Sequence, residues 1–405
     1  MYNGDDVIDT EYNYEDNNYT KYLFKNHLKN QLSNLEKLIY QTDTQFIPKM
    51  YNDIILRNII GKMKYITNNT TENIIYQFDT KYSMKITLFD YNDKKFINTE
   101  LSILLILGKL LENCTPHILV PILYGTADET NSLMRSFNYM IKKNQYNSDK
   151  EYLNKLHTNF KEIKHEYDKK YFSNTLFYMY TKWCNQSDLS QYLKTNTLSE
   201  ADWKTILFKI IYTLATIQHY YPSFRHNDLS LRNILVHIIN KRNCYDTYSI
   251  DDNTYYIPDN GIEVYLWDFE YSNIYELTEN NLITENSKMK KEYGIRLTEN
   301  QFYDIHFLLN GIYHNITALP NRIKKFIERQ IKKDFLGIDN EYVYNFRLIE
   351  DIKYTTPRAM LNDILFQDLK TRQNISYYSN ITCCGTENVM TNERHYSINE
   401  NKSTN

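Results

Sequence analysis

Glycine and proline are scarce in this chain, at nine and seven among 405 residues. Turns must therefore be made largely by Asn and Asp, which tolerate left-handed backbone better than other non-glycine residues. The five cysteines lack the C-x-x-C spacing of a zinc or redox site, so we expect reduced thiols in an intracellular protein. The formal net charge is only −3, which gives no global reason to expect nucleic acid as a partner.

Long apolar runs are also missing. The longest, "LSILLILGKLL" at 101–111, is too short for a membrane span, which needs ~20 apolar residues. The first residues, "MYNGDDVIDTEYNYEDNNY", are acidic and polar, unlike a secretory signal peptide. We therefore expect no transmembrane segment and a cytoplasmic location.

Aromatic residues are plentiful instead: 39 tyrosines and 18 phenylalanines, within a hydrophobic content of 42%. This supports an ordered core over most of the length. A chain of this size holds one large domain or two lobes, because single cores stop growing near ~250–300 residues. The predicted organisation is a disordered polar tail at 1–20, a strand-rich lobe at 21–183 with a charged, solvent-facing helical insertion at about 128–173, a helical lobe at 184–372 that carries the catalytic loop, and a disordered polar tail at 373–405.

Hydrophobic periodicity predicts the main elements. In the first half, period-two alternation or β-branched and aromatic residues predict strands, and a helix is expected from about Asn98 to Glu112. The clearest helix runs through Trp203–Ile217, with Ser199 and Asp202 as its capping box. The predicted strands are 73–78, 82–89, 117–125 and 174–183 in the first half, then 233–238 and 261–267, which flank a polar segment.

A short polar stretch, "RHNDLSLRNILV" at 225–236, carries the chemistry. An Asp that ends a turn after a helix, followed five positions later by Asn and an apolar strand, suits phosphoryl transfer. Asp228 would orient the attacking hydroxyl and Asn233 would hold a divalent metal. A second metal-binding carboxylate is expected just past the next strand of a hairpin, where "VYLWDFE" places Asp268.

An amine is also needed to hold nucleotide phosphates from a strand that faces the cleft. Lys85 in "YSMKITLF" fits this position, because the apolar residues of the strand alternate with it. Such a lysine is usually held by a glutamate on a helix. Glu100 follows on the next predicted helix, although a Glu in a first helical turn also has a plain explanation as a partner of the helix dipole.

These residues together resemble the protein-kinase superfamily, over about residues 55–370. The chain is more narrowly similar to poxvirus-type serine/threonine kinases and their relatives in large DNA viruses, which also have a degenerate glycine loop, an insertion before the hinge and a long excursion before the metal-binding Asp. Here that excursion places Asp268 35 positions after Asn233. The resemblance further implies that Asp304 is a buried helix carboxylate that binds the catalytic-loop backbone, and that His226 packs the turn.

Several positions depart from the family pattern. No G-x-G-x-x-G is present, and only Gly61 stands where a phosphate-covering loop would be. Ser230 replaces the Lys common two positions after the catalytic Asp, so Arg232, four positions after it, is expected to supply the positive charge. Glu270 replaces the glycine of the metal motif, and no A-P-E triplet marks a peptide-positioning segment.

The resemblance implies an α+β, two-lobed protein-kinase-like fold with a small strand-rich N-lobe and a larger helical C-lobe. It implies an enzyme that uses ATP and Mg²⁺ or Mn²⁺ to phosphorylate Ser and Thr of protein substrates in the cytoplasm, which would be the host cytoplasm, with the virion as a further site, if the protein is viral. Two alternatives stay open: a small-molecule kinase of the choline or aminoglycoside type, and a pseudokinase scaffold.

Overall fold

The structure is a computed structural model, and it describes most of the chain between the first predicted strand, at 73–78, and residue 371, together with three short segments outside that range. The predicted N-terminal tail and Gly61 lie outside the described residues. The described residues are 49–50, 64–68, 73–78, 80–90, 99–111, 114–128, 130–144, 150–242, 244–275, 277–278, 280, 283, 293, 295–349, 352–371 and 395–397.

A six-stranded sheet dominates the first half. Its order is β1-β5-β6-β4-β3-β2, antiparallel throughout except that β1 runs parallel to β5. The strands and helices of this half are β1 (Lys49–Met50), β2 (Lys64–Asn68), β3 (Asn73–Phe78), β4 (Tyr82–Asp90), α1 (Thr99–Gly108), β5 (Leu123–Ala127), α2 (Thr130–Asn144), α3 (Lys150–Asp168) and β6 (Phe172–Lys182).

The strand predicted at 117–125 forms only at its end and continues to Ala127. Pro121 has no backbone N–H and cannot donate to a ladder. Before Leu123 the chain makes an isolated bridge from Ile118 to Leu266 and a hydrogen bond from the N–H of Ile122 to the carbonyl of Tyr180. The strands predicted at 73–78, 82–89 and 174–183 are confirmed within two residues at each end.

The charged segment at 128–173 does form helices, α2 and α3, but these are not merely solvated. Each buries an apolar stripe against one face of the sheet, with Leu133 and Phe137 on α2 and Phe160 and Ile163 on α3. Met84 on β4 belongs to the same cluster, so side chains one position out of step with it point to the opposite face. Alternation thereby directs Lys85 away from the helices.

The second half is built around one long buried helix, α5. Ser199 accepts from the backbone N–H of Asp202, whose side chain accepts from the N–H of Ser199, so the predicted capping box is present. The helix ends at Tyr220, before Pro222. The elements here are α4 (Leu189–Thr195), α5 (Glu200–Tyr220), β7 (Phe224–Arg225), β8 (Ile234–Ile238), β9 (Tyr245–Ile250), β10 (Asn253–Pro258), β11 (Ile262–Leu266), β12 (Asn273–Ile274), α6 (Tyr303–Asn315), α7 (Asn321–Gln330), β13 (Val343–Tyr344), β14 (Arg347–Leu348), α8 (Pro357–Met360) and β15 (His395–Ser397), with 3₁₀ turns at 231–233, 269–271, 333–335 and 364–370.

The predicted strands on either side of the polar segment pair as the antiparallel hairpin β8–β11. The polar segment itself contains a second hairpin, β9–β10, which the sequence analysis did not predict. Its aromatic residues Tyr248 and Tyr255 are buried against α5. Strand β15 pairs in parallel with β9; it lies within the polar C-terminal segment, most of which is outside the described residues.

Asn and Asp make many of the tight turns, as their abundance and the shortage of glycine predicted. Seven non-glycine residues have positive φ within the described ranges, and four of them are Asn or Asp: Asn227, Asp251, Asp268 and Asn345. The architecture is thus a mixed one, a strand-rich sheet followed by a mainly helical part, compatible with a kinase-like fold. No helix in the part of the chain that the structure describes has the length and hydropathy to cross a membrane.

Candidate active site

Lys85 forms a buried ion pair with Glu100. Its Nζ donates to Oε2 of Glu100 at 2.6 Å, and both side chains are almost completely buried. Lys85 also lies 3.5 Å from Oδ1 of Asp268 and 5.4 Å from the ring centroid of Trp267. The strand, the following helix and the hairpin β8–β11 thus meet at one ammonium group.

The charges around this ammonium decide its protonation. Burial by itself lowers the pKa of Lys85, but the carboxylates of Glu100 and Asp268 outweigh it and hold that pKa above its ordinary value. Burial raises the pKa of Glu100, and the Lys85 ammonium opposes that rise. A fully protonated Lys85 is therefore available to pair with further negative charge.

Asp268 follows β11 and adopts a left-handed backbone conformation, with φ 64° and ψ 63°. Such a conformation is uncommon for a non-glycine residue and concentrates at functional sites. Its Oδ1 is buried and has no hydrogen-bond partner, although Lys85 lies nearby. Phe269, the next residue, is fully buried, with its ring 4.8 Å from that of His226.

The side chains of Asp228 and Asn233 are hydrogen-bonded to each other. The side-chain amide of Asn233 donates to Oδ2 of Asp228 at 2.8 Å and to the backbone carbonyl of Asp228 at 2.8 Å. The 3₁₀ turn at 231–233 brings the two residues together although they are five positions apart in the sequence. Because the amide nitrogen is used this way, the side-chain oxygen of Asn233 is the atom left to accept or ligate.

Arg347 on β14 contacts Asp228, and the sequence analysis missed it. One guanidinium nitrogen forms an ion pair with Oδ1 of Asp228, and the other donates to the carbonyl of Asn227. The guanidinium lies 3.8 Å from the ring centroid of Phe307 on α6. Arg232, expected to supply positive charge here, is exposed and makes no ion pair among the described residues. No motif spacing links positions 119 apart, so only the structure reveals Arg347.

The carboxylate of Asp304 binds the backbone of the turn that carries Asp228. The carboxylate accepts from the backbone N–H of His226 at 2.7 Å and of Asn227 at 2.8 Å, which is the contact predicted from the sequence. Burial raises the pKa of Asp304, and the positive charge of neighbouring groups and the two N–H bonds oppose this. The His226 ring lies against Phe269 and within 3.0 Å of the Trp267 carbonyl, so its contacts are those of a packing residue.

One cavity of about 470 Å³ lies against Asp228, Asn233 and Asp268. These three residues line one part of it, together with the charged side chains of Lys182, Asp188 and Arg232, and apolar or uncharged side chains line the rest. Cys184 is among the latter: burial raises the pKa of its thiol to about 12, so it is a neutral wall rather than a nucleophile. The volume lies within the range of small-ligand sites.

The oxygens that face this cavity suit a divalent cation. Asp268 offers a buried carboxylate oxygen without a hydrogen bond, and Asn233 offers its amide oxygen. Within the described ranges no cluster of three or more His, Cys, Asp or Glu could hold a metal. Mg²⁺ is commonly bound by one or two protein oxygens together with phosphates rather than by an all-protein cage, so the residues present fit such an ion.

The structure therefore brings together Lys85, Glu100 and Asp268 as one group and Asp228 and Asn233 as a second. Asp268 of the first group lines the same cavity as Asp228 and Asn233. It leaves Arg232 at the exposed rim. The catalytic and binding roles assigned to these residues, and to Gly61, stay predictions.

Three proteins of a large DNA virus have sequences similar to this chain. No protein-family model matches the chain. It is 29% identical over 296 residues, 69% of its length, to a protein of Acanthamoeba polyphaga mimivirus named "Putative serine/threonine-protein kinase". A second mimivirus protein with the same description is 31% identical over 199 residues, 43% of the chain. A third, named "Uncharacterized protein", is 24% identical over 204 residues.

The matched regions cover 60% and 50% of the two kinase-named relatives and 23% of the third protein. The predicted resemblance to kinases of large DNA viruses is confirmed by these relatives. The chain has a kinase-like relationship to proteins of a large DNA virus.

Proposed function

We propose that the chain is an ATP- and divalent-metal-dependent protein serine/threonine kinase, with the sheet and the helical part as the two lobes of a kinase-like fold. One observation carries this proposal. The carboxylate of Asp268 lies 3.5 Å from the ammonium of the buried Lys85–Glu100 pair, and Asp268 lines the same cavity as the hydrogen-bonded residues Asp228 and Asn233. Phosphoryl transfer needs positioning and charge stabilisation of this kind more than covalent chemistry.

The nucleotide would occupy the cavity with its phosphates toward Lys85. The ammonium is fixed by Glu100 and stays protonated, so it is pre-organised to pair with phosphate oxygens. Ile75, Leu119 and Leu235 line the cavity and offer apolar walls for a base. Without a G-x-G-x-x-G loop, fewer backbone amides cover the phosphates, so a modest affinity for ATP is expected.

Asn233 and Asp268 would hold Mg²⁺ or Mn²⁺, which would neutralise charge on the phosphates. Asp228 would accept a hydrogen bond from the acceptor hydroxyl and take its proton as the new bond to the γ-phosphorus forms, while the bond from that phosphorus to the β-phosphate oxygen breaks and ADP leaves. Arg347 and Asn233 fix the two carboxylate oxygens of Asp228, so its orientation is set before the substrate arrives.

The names of the relatives favour serine and threonine of proteins as acceptors. Two alternatives remain. A choline- or aminoglycoside-type kinase would transfer the phosphate to a small molecule, and a pseudokinase scaffold would transfer none. A location in the host cytoplasm, and the absence of nucleic acid among the partners, stay predictions.

One experiment separates these functions. Purified protein would be given labelled ATP, Mg²⁺ or Mn²⁺, and casein, a basic protein or choline, with Asp228→Asn and Asp268→Asn as matched variants. The expected result is labelled phosphoserine or phosphothreonine that is lost in both variants and on chelation of the metal. Labelled phosphocholine would show that the protein is a small-molecule kinase. ATP binding with no transfer to any acceptor would contradict catalysis and favour the scaffold.

A further inference from the structure

A second groove of about 440 Å³ lies beside the catalytic turn, outside the nucleotide cavity. Three parts of the chain form it: α4, the turn at 230–232, and α6 together with the β13–β14 hairpin. Arg232 lines both this groove and the nucleotide cavity, so the two spaces adjoin at the turn that carries Asp228. A chain lying in the groove would reach the point at which the acceptor hydroxyl must sit.

The charge of the groove has one sign. Lys194, Arg232 and Arg347 line it, and no Asp or Glu does. Arg347 is paired with Asp228, but Lys194 and Arg232 are exposed and have no carboxylate partner among the described residues. Two free cations facing a concave surface attract anionic groups, because the surrounding low-dielectric walls concentrate their field.

Two hydrogen-bond donors in the groove wall lack acceptors. The Nε of Arg347 and the hydroxyl of Ser230 are buried, and neither has a hydrogen-bond partner in the described part of the chain. The Arg347 side chain as a whole is more than nine-tenths buried. Unsatisfied buried donors are rare in native structures, so this wall of the groove has hydrogen-bonding capacity that the described residues do not use.

The remaining walls are apolar, which narrows the class of ligand. Leu193 on α4, Phe307 on α6 and Phe346 in the hairpin line the groove between the cations. A small inorganic anion would leave these surfaces uncovered, whereas a polypeptide can place an aliphatic side chain against them and an acidic one against the cations. Peptide recognition of acidic motifs by clusters of cationic side chains follows the same physics.

We propose that this groove binds an acidic segment of the protein substrate next to the phosphoacceptor residue, with Lys194 and Arg232 selecting Asp or Glu. This inference rests on the proposed function, because it specifies which protein substrates the proposed kinase site would accept. The kinase would then prefer Ser or Thr flanked by acidic residues over the same acceptor flanked by neutral or basic ones.

The test uses three peptides of equal length with one serine each, flanked by Glu, Gln or Lys. Direct binding to the full chain would be measured by fluorescence anisotropy without nucleotide, and phosphorylation would be measured as kcat/KM with ATP and Mg²⁺. Lys194→Glu is the variant, since Lys194 is exposed and outside the catalytic turn. Lys325→Glu on α7 is the matched control, an exposed lysine that lines neither cavity.

The Glu-flanked peptide is expected to bind more tightly than the Gln-flanked one. Lys194→Glu should weaken its binding about three- to tenfold while Lys325→Glu leaves it unchanged, as one exposed pair is replaced by repulsion. Higher salt should reduce the preference. Equal binding of the three peptides, or a preference unaltered by Lys194→Glu, would overturn the inference. Binding with the predicted preference but no phosphate transfer would uphold the groove and refute only the proposed kinase activity.

Discussion

Arg347 and Asp228 form an ion pair across 119 positions of sequence, and this pair sets the orientation of the candidate catalytic carboxylate. The guanidinium also binds the carbonyl of Asn227 and lies against the ring of Phe307, so it is fixed from three sides. The ion-pair partner of Asp228 therefore lies on the β13–β14 hairpin and not on the turn that carries Asp228. Catalysis should depend on a segment that no kinase motif marks.

We expect Arg347→Ala to lower kcat for peptide phosphorylation by about 10- to 100-fold, because a misoriented general base costs that much. The KM for ATP should change little, since Arg347 does not line the nucleotide cavity. Arg347→Lys should lie between, because an ammonium cannot contact both Asp228 and the Asn227 carbonyl in the same way. Arg296→Ala is the control: Arg296 binds the carbonyl of Ile349 beside the same hairpin without contacting Asp228. An unchanged kcat in Arg347→Ala would rule out this positioning role.

The Lys85–Glu100 pair gives a prediction about stability. Lys85→Met should destabilise the fold by about 3–5 kcal/mol, because it leaves the Glu100 carboxylate buried without its partner. Adding Glu100→Gln should restore much of the free energy of unfolding without restoring ATP binding. Urea denaturation and a nucleotide-binding assay would measure the two effects. Lys164→Met, which breaks an exposed pair with Asp168, should change stability little. A double variant no more stable than Lys85→Met would contradict this account.

His306 on α6 makes stability depend on pH. Burial lowers the pKa of His306 to about 4, while its Nε2–H donates to the carbonyl of Phe335 at 2.8 Å. Between pH 6.5 and 4 the unfolded chain takes up a proton at this residue and the folded chain does not, so stability falls as pH falls. The contribution over that interval is about 3 kcal/mol.

Thermal or urea unfolding as a function of pH would show this slope. His306→Gln, which retains an N–H donor but does not titrate, should reduce the slope between pH 6.5 and 4. His157→Gln on the exposed side of α3 serves as the control. If the pH profile of His306→Gln coincided with that of the unmodified chain, titration of His306 would not be the cause.

Strand β15 should be held in place mainly by Tyr396. This side chain is buried, with its ring 5.1 Å from that of Tyr248, whereas His395 on the same strand is exposed. We expect Tyr396→Ala to speed amide exchange along residues 247–249 of β9, which pair with β15, and to cost about 3 kcal/mol in the stability of that docking. His395→Ala should leave exchange unchanged. Equal exchange in both variants would show that the strand docks without the tyrosine.

Local patterns were enough to predict the elements that depend on near neighbours. Strands β3, β4 and β6 and helix α5 follow from hydrophobic periodicity and a capping box, and the turn at 226–233 follows from residue types at fixed short spacing. The sequence did not predict hairpin β9–β10, because it lies within a segment of mainly polar residues. Only the burial of its tyrosines in the structure shows which face packs on α5. A strand of mixed composition is stabilised by the tertiary surface on which its apolar side chains pack, and the local sequence does not indicate that surface.

The sequence by itself determined the residue types of the candidate site and the four chain segments that carry them. Only the tertiary structure decided that Lys85 lies 3.5 Å from Asp268, that Arg347 pairs with Asp228, and that Arg232 stays at the rim of a groove. The physical reason is that a motif is a short-range arrangement, fixed by a few dihedral angles. Contacts between distant positions depend on the packing of the sheet, α5 and the hairpin together, an energy spread over many side chains that no single stretch of sequence contains.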